Sequence, residues 1–370
     1  MPNYVIIIIS LGHAFSVLFR DGVLFMKKVR IEELEKKSKE ELIDDLRHRR
    51  YSLLDSIGCR KLRLEMFIPG LVSAIIVRFL CWKAKRKDGK NWTKTVRGYI
   101  VKLFEKHAPY ELSQGDVLPE NTDGLIIGFN HPSLGEILRL IGLISKEYPE
   151  NNYLFPVNLP WYESLCPVVD KMKEAGFYLT PIVTPSTKRK IENTAGREML
   201  EKVMSIGTGF NMVYMNLCKK FAKAKDIIVV APSATRQATV FKTDAELSKE
   251  TRIEPQTMSL LVQTLSREVK KSDDLKLLPI TVVPPSGGKR GLNLDSIYIF
   301  GICEPFSFLE AIELSKMKYQ PANGRRFDYD FLGRIAIKMF HIGKHDYIAP
   351  LRDQDAIDGL AKLFEKEVAF

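Results

Sequence analysis

Short, unbroken runs of apolar residues mark the strands of this chain. The three clearest runs occupy residues 125–129, 227–230 and 277–283. Runs of this length without alternation are typical of strands buried on both faces of a sheet. Less pure runs predict three further strands at residues 153–157, 177–182 and 296–300. The chain is therefore expected to contain a sheet whose central strands are fully covered.

Helical stretches alternate with these strands. The apolar positions within residues 137–144 favour a helix that begins near Glu136 and packs on the sheet. Residues 185–226 are predicted to be an inserted helical region that includes a helix at 197–204. Further helices are predicted at 258–269 and 353–368, and a loop is predicted at 320–326. Alternation of strands and helices predicts an α/β fold, a central mixed sheet flanked by helices.

The amino-terminal part is predicted to form a helical region. Residues 31–54 are dense in Glu, Lys and Arg with apolar residues near helical spacing, which favours charged helices packed on one apolar side. Residues 66–82 are the most apolar segment of the chain, and five cations follow: Lys83, Lys85, Arg86, Lys87 and Lys90. With Pro69 and Arg78 inside, the segment falls short of the ~20 apolar residues of a crossing helix. We predict a helix lying in one leaflet; a buried core helix is the alternative.

These patterns divide the chain into three segments. Within residues 1–25, positions 5–9 are apolar, but no basic residue precedes them as in a standard signal peptide. Met26, which is followed by two lysines, would be a natural start of the protein. We expect this stretch to be an over-extended reading frame or a small membrane-contacting leader. Residues 26–92 are expected to form the helical, membrane-contacting region, and residues 93–370 the α/β domain.

The charge and the cysteines narrow the class of partner. The 370 residues carry 56 Lys and Arg against 45 Asp and Glu, a net charge of +11, which favours an anionic partner. The basic residues are not interleaved with aromatic ones as in RNA- or DNA-binding modules, so we expect an anionic membrane surface and no nucleic acid. The five cysteines are scattered and odd in number, which predicts reduced core residues of a protein on the cytoplasmic side of a membrane, peripheral or monotopic.

His131 is the leading candidate for a general base. It follows the run at 125–129, and Pro132 prevents the strand from continuing. Glu136 comes five residues later, at or near the first turn of the next helix. Neutral imidazole accepts a proton near pH 7, and a carboxylate on the other ring nitrogen stabilises the imidazolium that forms. The pair favours activation of a hydroxyl group; a loop histidine with a backbone hydrogen bond is the alternative.

Two other strand ends carry basic residues. The run at 227–230 leads to Arg236, whose planar guanidinium suits a phosphate group. The run at 277–283 leads to a Pro/Gly-rich turn with Lys289 and Arg290, which lacks the Ser or Thr that a phosphate loop requires after Gly-Lys. The chain has no Gly-x-Ser-x-Gly, no His-Glu-x-x-His and no clustered Cys/His spacing for zinc, so no metal site is predicted.

These segments, in this order, resemble the glycerolipid acyltransferase superfamily, which includes the glycerol-3-phosphate and lysophosphatidic acid acyltransferases. The first block of that family is Asn-His, four residues and Asp. Here Asn130 and His131 are followed by four residues and Glu136, whose side chain is one methylene longer. The third block of the family is Phe-Pro-Glu-Gly-Thr-Arg-Ser, of which this chain keeps three residues: Pro232, Thr235 and Arg236.

The chain also departs from the family pattern. The third-block Phe, Glu, Gly and Ser are replaced by Ala231, Ser233, Ala234 and Gln237. Pro279 can supply the proline of the fourth block. The second block has no convincing counterpart, and the nearest basic residues are Lys188, Arg189 and Lys190. The resemblance covers roughly residues 95–300.

The resemblance implies an O-acyltransferase of phospholipid biosynthesis with its acyltransferase-like domain at residues 93–370. His131, with Glu136 as partner, would remove the proton of an acceptor hydroxyl as it attacks an acyl thioester of coenzyme A or acyl carrier protein. No acyl-enzyme and no cofactor is required. Ser133 also suits a helix cap. The residues implied to bind the donor and the phosphorylated glycerol or lysolipid acceptor are Asn130, Ser133, Ser233, Thr235, Arg236, Lys188 and Arg189.

The altered third block leaves two alternatives open. Ser233 stands where the family has the glutamate that lines the acceptor site, which implies a changed acceptor or a weakened enzyme. One alternative is a relative that binds acyl lipid or acyl carrier protein without turnover. The other is an ester or thioester hydrolase in which water replaces the alcohol. Hydrolase and transferase differ in whether an added acceptor is consumed.

Overall fold

A computed structural model describes residues 29–48, 52–112, 116–120, 124–129, 135–231, 265, 275–283, 297–302 and 305–307. The stretch expected to be a leader at residues 1–25 lies outside these residues. So do the loop expected at 320–326, the helix expected at 353–368, and all of the helix expected at 258–269 except Leu265.

The chain divides into two compact units. Unit 1 comprises Met1–Val96 and Pro156–Tyr214, and unit 2 comprises Arg97–Phe155 and Met215–Phe370. The chain first passes from unit 1 to unit 2 near the expected boundary between residues 92 and 93. The return of Pro156–Tyr214 to unit 1 has no counterpart in the sequence pattern.

Three short helices open the described part of unit 1: α1 Ile31–Glu35, α2 Lys39–Arg47 and α3 Leu53–Ser56. A capping box starts α2, because the Glu41 backbone N–H donates to Ser38 Oγ at 3.2 Å while the Ser38 N–H donates to the Glu41 carboxylate at 2.8 Å. The apolar positions Leu34, Leu42 and Leu46 are buried. The prediction of charged helices packed on one apolar side is confirmed.

Helix α4, Arg60–Asp88, is much longer than the apolar segment inside it. One side is buried in unit 1 through Ala74, Cys81 and Ala84. Another side is apolar but exposed, with Phe79 50% and Trp82 55% exposed. The helix is thus a core helix on one side only. Within the described residues, no helix combines the length and the apolarity that crossing a membrane requires.

Six more helices follow: α5 Trp92–His107, α6 Gly135–Glu147, α7 Leu159–Leu165, α8 Val169–Glu174, α9 Pro185–Ala195 and α10 Arg197–Ala224. Helix α10 extends far beyond the predicted 197–204, because its apolar face continues at helical spacing. Phe210, Tyr214 and Cys218 are all buried on that face. The helical character predicted for residues 185–226 is confirmed.

In the part of the chain that the structure describes, eight strands form the sheet: β1 Tyr110–Leu112, β2 Leu125–Phe129, β3 Tyr153–Asn158, β4 Phe177–Ile182, β5 Ile227–Val230, β6 Lys276–Val283, β7 Tyr298–Ile302 and β8 Phe306–Ser307. Their order is β1-β7-β6-β2-β5-β3-β4, and β8 pairs with β6. Strand β2 is parallel to β5 and β6, whereas β7 and β8 are antiparallel to β6. The predicted α/β fold with a mixed sheet flanked by helices is confirmed.

The apolar runs owe their composition to burial at the centre of this sheet. All residues of β2 and β5 are buried, including Ile126, Ile127 and Ile228, none of which is exposed. A strand covered on both faces needs apolar residues at consecutive positions, which is the pattern of these runs. Strand β7 starts two residues later than the predicted position 296, at Tyr298, and continues to Ile302.

The described cysteines are core residues. Cys59, Cys81, Cys166 and Cys218 are buried and form no disulfide with one another. Burial raises the pKa of the Cys59 thiol, and it raises that of Cys81 against the opposing charges of Lys171 and Lys85. The prediction of reduced core cysteines is confirmed for these four, and Cys303 lies outside the described residues.

Candidate functional site

Strands β2 and β5 are parallel neighbours whose carboxyl ends lie side by side. Gly128 pairs with Val230, so the two strands reach the same edge of the sheet together. The chain continues from these ends towards His131 and Arg236, for which the sequence predicts chemistry. Ligands of α/β proteins bind at the carboxyl ends of parallel strands. The register therefore brings together the starting points of both predicted segments.

The connections from β2 and β5 run in opposite directions across the sheet. From β2 the chain passes through α6 to β3, which lies beyond β5; from β5 it goes on to β6, which lies beyond β2. In α/β proteins, ligands commonly bind where adjacent parallel strands have connections that leave in opposite directions. The carboxyl ends of β2 and β5 are therefore the candidate place for a ligand.

Strand β6 flanks β2 on its other side. Pro279 of β6 lies in register with Gly128 of β2. Pro279 has no backbone N–H group to donate, and Gly128 has no side chain. The segments compared with the first, third and fourth acyltransferase blocks consequently begin or lie on three adjacent strands, in the spatial order β5, β2 and β6. Proximity in the chain could not give this order, since β5 and β6 come long after β2.

Several predicted site residues lie outside the described residues. These are Asn130, His131 and Ser133 after β2, and Ser233, Thr235 and Arg236 after β5. The structure describes the strands that lead to them and the helix that follows the first group. Their assigned roles stay predictions.

Glu136 lies in the first turn of α6, as predicted. The helix starts at Gly135, and the Glu136 side chain is completely buried. A carboxylate near a helix N-terminus interacts favourably with the helix dipole. Burial of a charged group is costly unless another charge or hydrogen bonds compensate it, so this position requires a partner.

Arg139 is such a partner, and the sequence reasoning missed it. The side chain is completely buried on α6, one turn after Glu136. Its Nε donates to the Pro109 carbonyl oxygen at 2.8 Å, and its guanidinium carbon lies 4.0 Å from the centre of the Tyr298 ring. Burial lowers the pKa of Arg139, and electrostatic interaction with Tyr298 and Glu136 opposes this shift. A single arginine within an otherwise apolar helical face was the available signal.

Lys188 and Arg189 lie in α9, which belongs to unit 1. Thr184 caps this helix by accepting from the Thr187 N–H at 3.3 Å, and Thr187 Oγ1 donates to Asn158 Oδ1 at 3.0 Å. Lys188 is half-buried, and Arg189 is exposed. These contacts position the start of α9 within unit 1, and the substrate-binding role of the two cations stays a prediction.

Comparisons with known proteins find similarity in structure but none in sequence. No protein-family model matches the chain, and no curated protein matches it in sequence. The chain is similar to the solved structure of the 1-acyl-sn-glycerophosphate (LPA) acyltransferase PlsC from Thermotoga maritima. The alignment has 11% identity and a TM-score of 0.36, and it covers 77% of this chain and 97% of that chain.

Two described side chains of α6, the helix that follows β2, carry buried charges. Glu136 is a buried carboxylate, and it interacts electrostatically with Arg139. Among the described residues, no group of three or more His, Cys, Asp and Glu side chains is arranged to hold a metal ion.

Proposed function

We propose that the protein transfers a fatty acyl group from an acyl thioester to the hydroxyl of a phosphorylated glycerol or lysophospholipid. In this proposal His131 is the general base, and Glu136 is the carboxylate that orients it. Arg236 binds the acceptor phosphate. The donor is acyl-coenzyme A or acyl carrier protein. Both donors have a thioester carbonyl next to an anionic carrier, and the protein would recognise these two features.

The register of β2 with β5 is the observation that carries the proposal. The carboxyl ends of the two strands lie next to each other, and from them the chain continues towards His131 and Arg236. This is the kind of edge at which α/β proteins bind ligands, which supports the proposal. A base and a phosphate-binding group must act on one small acceptor, so they must start from neighbouring positions. The buried carboxylate of Glu136, at the start of the helix after β2, adds the third component.

The proposed reaction is a direct transfer. His131 accepts the proton of the acceptor hydroxyl while the oxygen forms a bond to the thioester carbonyl carbon. The tetrahedral intermediate collapses, the carbon–sulfur bond breaks, and the thiolate leaves with the proton returned from the imidazolium. General base catalysis of this kind contributes ~100- to 10,000-fold, so positioning and stabilisation of the oxyanion supply the rest.

The remaining predicted residues are proposed to bind substrates. Asn130 and Ser133 flank the base, and Ser233 and Thr235 accompany Arg236 in the segment after β5. Lys188 and Arg189 would add positive charge for a phosphate. Ser233 replaces an acid of the family pattern and is neutral, so we propose that the acceptor is bound chiefly through its phosphate and less through its free hydroxyls.

We further propose that the protein works at the cytoplasmic face of an anionic membrane. Helix α4 supports this, because Val72, Ile76, Phe79 and Trp82 repeat at helical spacing along one exposed face. The exposed cations Lys83, Lys85, Arg86 and Lys87 follow directly. An apolar face joined to a cationic end is typical of helices that lie in the membrane interface. Acyl donors and lysolipids partition into the same layer.

Release of free thiol from palmitoyl-coenzyme A tests the function. The purified protein is assayed with glycerol 3-phosphate, with lysophosphatidic acid and without acceptor. We expect release to be stimulated by one of the two acceptors and to fall ~100-fold or more in His131→Ala, because the general base is lost. His107→Ala is the matched control, since His107 is an exposed histidine at the end of α5, and it should keep the wild-type rate.

Arg236→Ala separates binding from chemistry in the same assay. We expect the acceptor KM to rise by ~10-fold or more with a smaller change in kcat, because the guanidinium holds the phosphate and does not react. Release that needs no acceptor but still needs His131 would instead identify a hydrolase. No turnover with either coenzyme A or carrier-protein donors would favour the acyl-binding relative and contradict the proposal.

A further inference from the structure

Glu136 and Arg139 form a buried pair of opposite charges on α6. Both side chains are completely buried, and residues three apart in a helix lie on the same face. An ionised group that is buried without compensation is strongly disfavoured, and either residue alone would present that problem. The charge of Glu136 supports the protonated form of Arg139, so the two groups interact electrostatically.

Arg139 is held from two further directions. Its Nε donates to the Pro109 oxygen at 2.8 Å, and the same oxygen accepts from the Tyr298 N–H at 3.4 Å. Its guanidinium lies 4.0 Å from the centre of the buried Tyr298 ring, a cation–π geometry. Tyr298 also pairs with Tyr110 in the β1–β7 ladder. The start of α6 is thus connected through the Arg139 side chain to Tyr298 of β7 and to Pro109, the residue before β1.

We propose that Arg139 is a positioning residue for Glu136, fixing the carboxylate by anchoring the start of α6 to Pro109 and Tyr298. Its effect on turnover rests on the proposed function, in which Glu136 orients the general base. The anchoring itself does not depend on that function. Arginine suits this place better than lysine, because a planar guanidinium can stack on a ring while its edge donates hydrogen bonds.

The test replaces Arg139 by methionine and by lysine. Arg139→Met should lower kcat ~100-fold per folded molecule with less than a ~3-fold change in the acceptor KM, since displacement of a catalytic group by about 1 Å has an effect of that size. Arg139→Lys keeps the charge but not the planar fork, so it should recover ~10-fold of the lost kcat.

Arg97→Met is the matched control. Arg97 is another arginine of unit 2 that donates to a backbone oxygen, that of Asn151 at 2.8 Å, and lies near a tyrosine ring, that of Tyr153. Like Arg139, Arg97 contacts a backbone oxygen and a tyrosine ring, but its proposed role does not involve Glu136. We expect Arg97→Met to lower the melting temperature while kcat per folded molecule stays within ~2-fold. Equal losses of kcat in Arg97→Met and Arg139→Met would overturn the positioning role.

A thermal-unfolding cycle tests the pair without any assay of activity. The fall in melting temperature that Arg139→Met causes in the wild type should be at least halved when the substitution is made in the Glu136→Gln variant, because the charge with which Arg139 interacts is already gone. Additive changes would overturn the proposed link. A coupled cycle in a protein that shows no turnover would retain the link and reject only the proposed function.

Discussion

At the scale of single residues, Glu163 stabilises a distant part of unit 1. Its carboxylate is 2% exposed and accepts three hydrogen bonds, from Ser52 Oγ at 2.6 Å and from the N–H groups of Leu53 at 2.7 Å and Leu54 at 3.2 Å. These two N–H groups belong to the first turn of α3, where no helical carbonyl can accept them. A carboxylate from far along the chain thus caps a helix whose own sequence provides only Ser52.

Glu163→Gln should lower the free energy of unfolding by ~2 kcal/mol. The amide retains one acceptor oxygen but turns an NH2 group towards donors, which leaves buried N–H or O–H groups unpaired. Glu201→Gln is the control, because Glu201 pairs with Arg197 on the surface and its loss should change stability by less than ~0.5 kcal/mol. Guanidinium unfolding midpoints measure both. Equal effects of the two substitutions would contradict the capping role.

Tyr153 gives a prediction for alkaline pH. Its buried hydroxyl donates to the carbonyl oxygens of Tyr148 and, at 3.2 Å, Ile144, and burial raises its pKa to about 12. An unfolded tyrosine has a pKa of about 10, so the raised value stabilises the fold below that pH. The contribution, roughly 2–3 kcal/mol, is lost as pH rises from about 10 towards 12.

Tyr153→Phe should therefore be less stable than the wild type at neutral pH, with a difference that narrows as pH passes 10. Urea unfolding at a series of pH values measures this difference. Phe155→Leu, which changes a buried side chain of β3 that does not titrate, should lower the stability by an amount that is constant with pH. A constant difference for Tyr153→Phe as well would contradict the raised pKa.

At the scale of elements, α5 and α6 pack closely at Gly142. A Cβ added to Gly142 would lie 3.1 Å from the Phe104 Cβ, inside the usual contact distance. Gly98, by contrast, lies on α5 with no atom within 4 Å of such a Cβ. The two glycines share a helical backbone and differ in their surroundings, so a pair of alanine substitutions separates helix propensity from packing.

Gly98→Ala should raise the free energy of unfolding by up to ~1 kcal/mol, the gain of alanine over glycine inside a helix. Gly142→Ala should be at least ~1 kcal/mol less stable than Gly98→Ala, since α5 and α6 must move apart to admit the methyl group. Chemical unfolding of both variants measures the difference. If Gly142→Ala stabilises as much as Gly98→Ala, the close approach of these helices is wrong.

At the scale of the whole molecule, charge and exposed apolar surface act at different distances. The net charge of +11 attracts the protein to an anionic surface over about a Debye length, ~10 Å at moderate salt. The exposed face of α4, with its Phe79 and Trp82 rings stacked 5.9 Å apart, can bind only on contact. Membrane association should therefore require both anionic lipid and an intact α4 face.

Vesicle sedimentation tests this association. We expect binding to phosphatidylglycerol–phosphatidylcholine vesicles, weaker binding at high salt, and a tenfold or larger loss in Phe79→Ser, because burial of an aromatic side chain contributes roughly 1.5–3 kcal/mol. Met212→Ser, which removes a 48% exposed side chain of α10, should bind as the wild type does. Equal binding to pure phosphatidylcholine, or equal loss in both variants, would contradict the membrane proposal.

Local order was readable from the residues themselves. Consecutive apolar positions gave β2, β5 and β6, and the helical spacing of apolar residues gave α6 and the amino-terminal helices, because burial acts on each segment's own faces. The ends of β2 and β5, from which the chain continues towards Asn130-His131 and Arg236, were likewise predicted, whereas the roles of those residues stay predictions. The predicted α10 was too short, because its apolar pattern continues past position 204 and through Gly207. Gly207 lies close to Val183, since a Cβ added to this glycine would be 3.3 Å from the Val183 side chain.

Only the tertiary structure decided which segments become neighbours. The placement of β5 between β2 and β3 joins two candidate segments that lie far apart in the chain, and nothing local specifies that pairing. The burial of Arg139, the capping of α3 by Glu163 and the exposure of one apolar face of α4 depend likewise on what packs against each side chain. The sequence of a segment determines which of its faces are apolar and can be buried. Which neighbours cover those faces, and which charges compensate a buried group, is determined only by the tertiary fold.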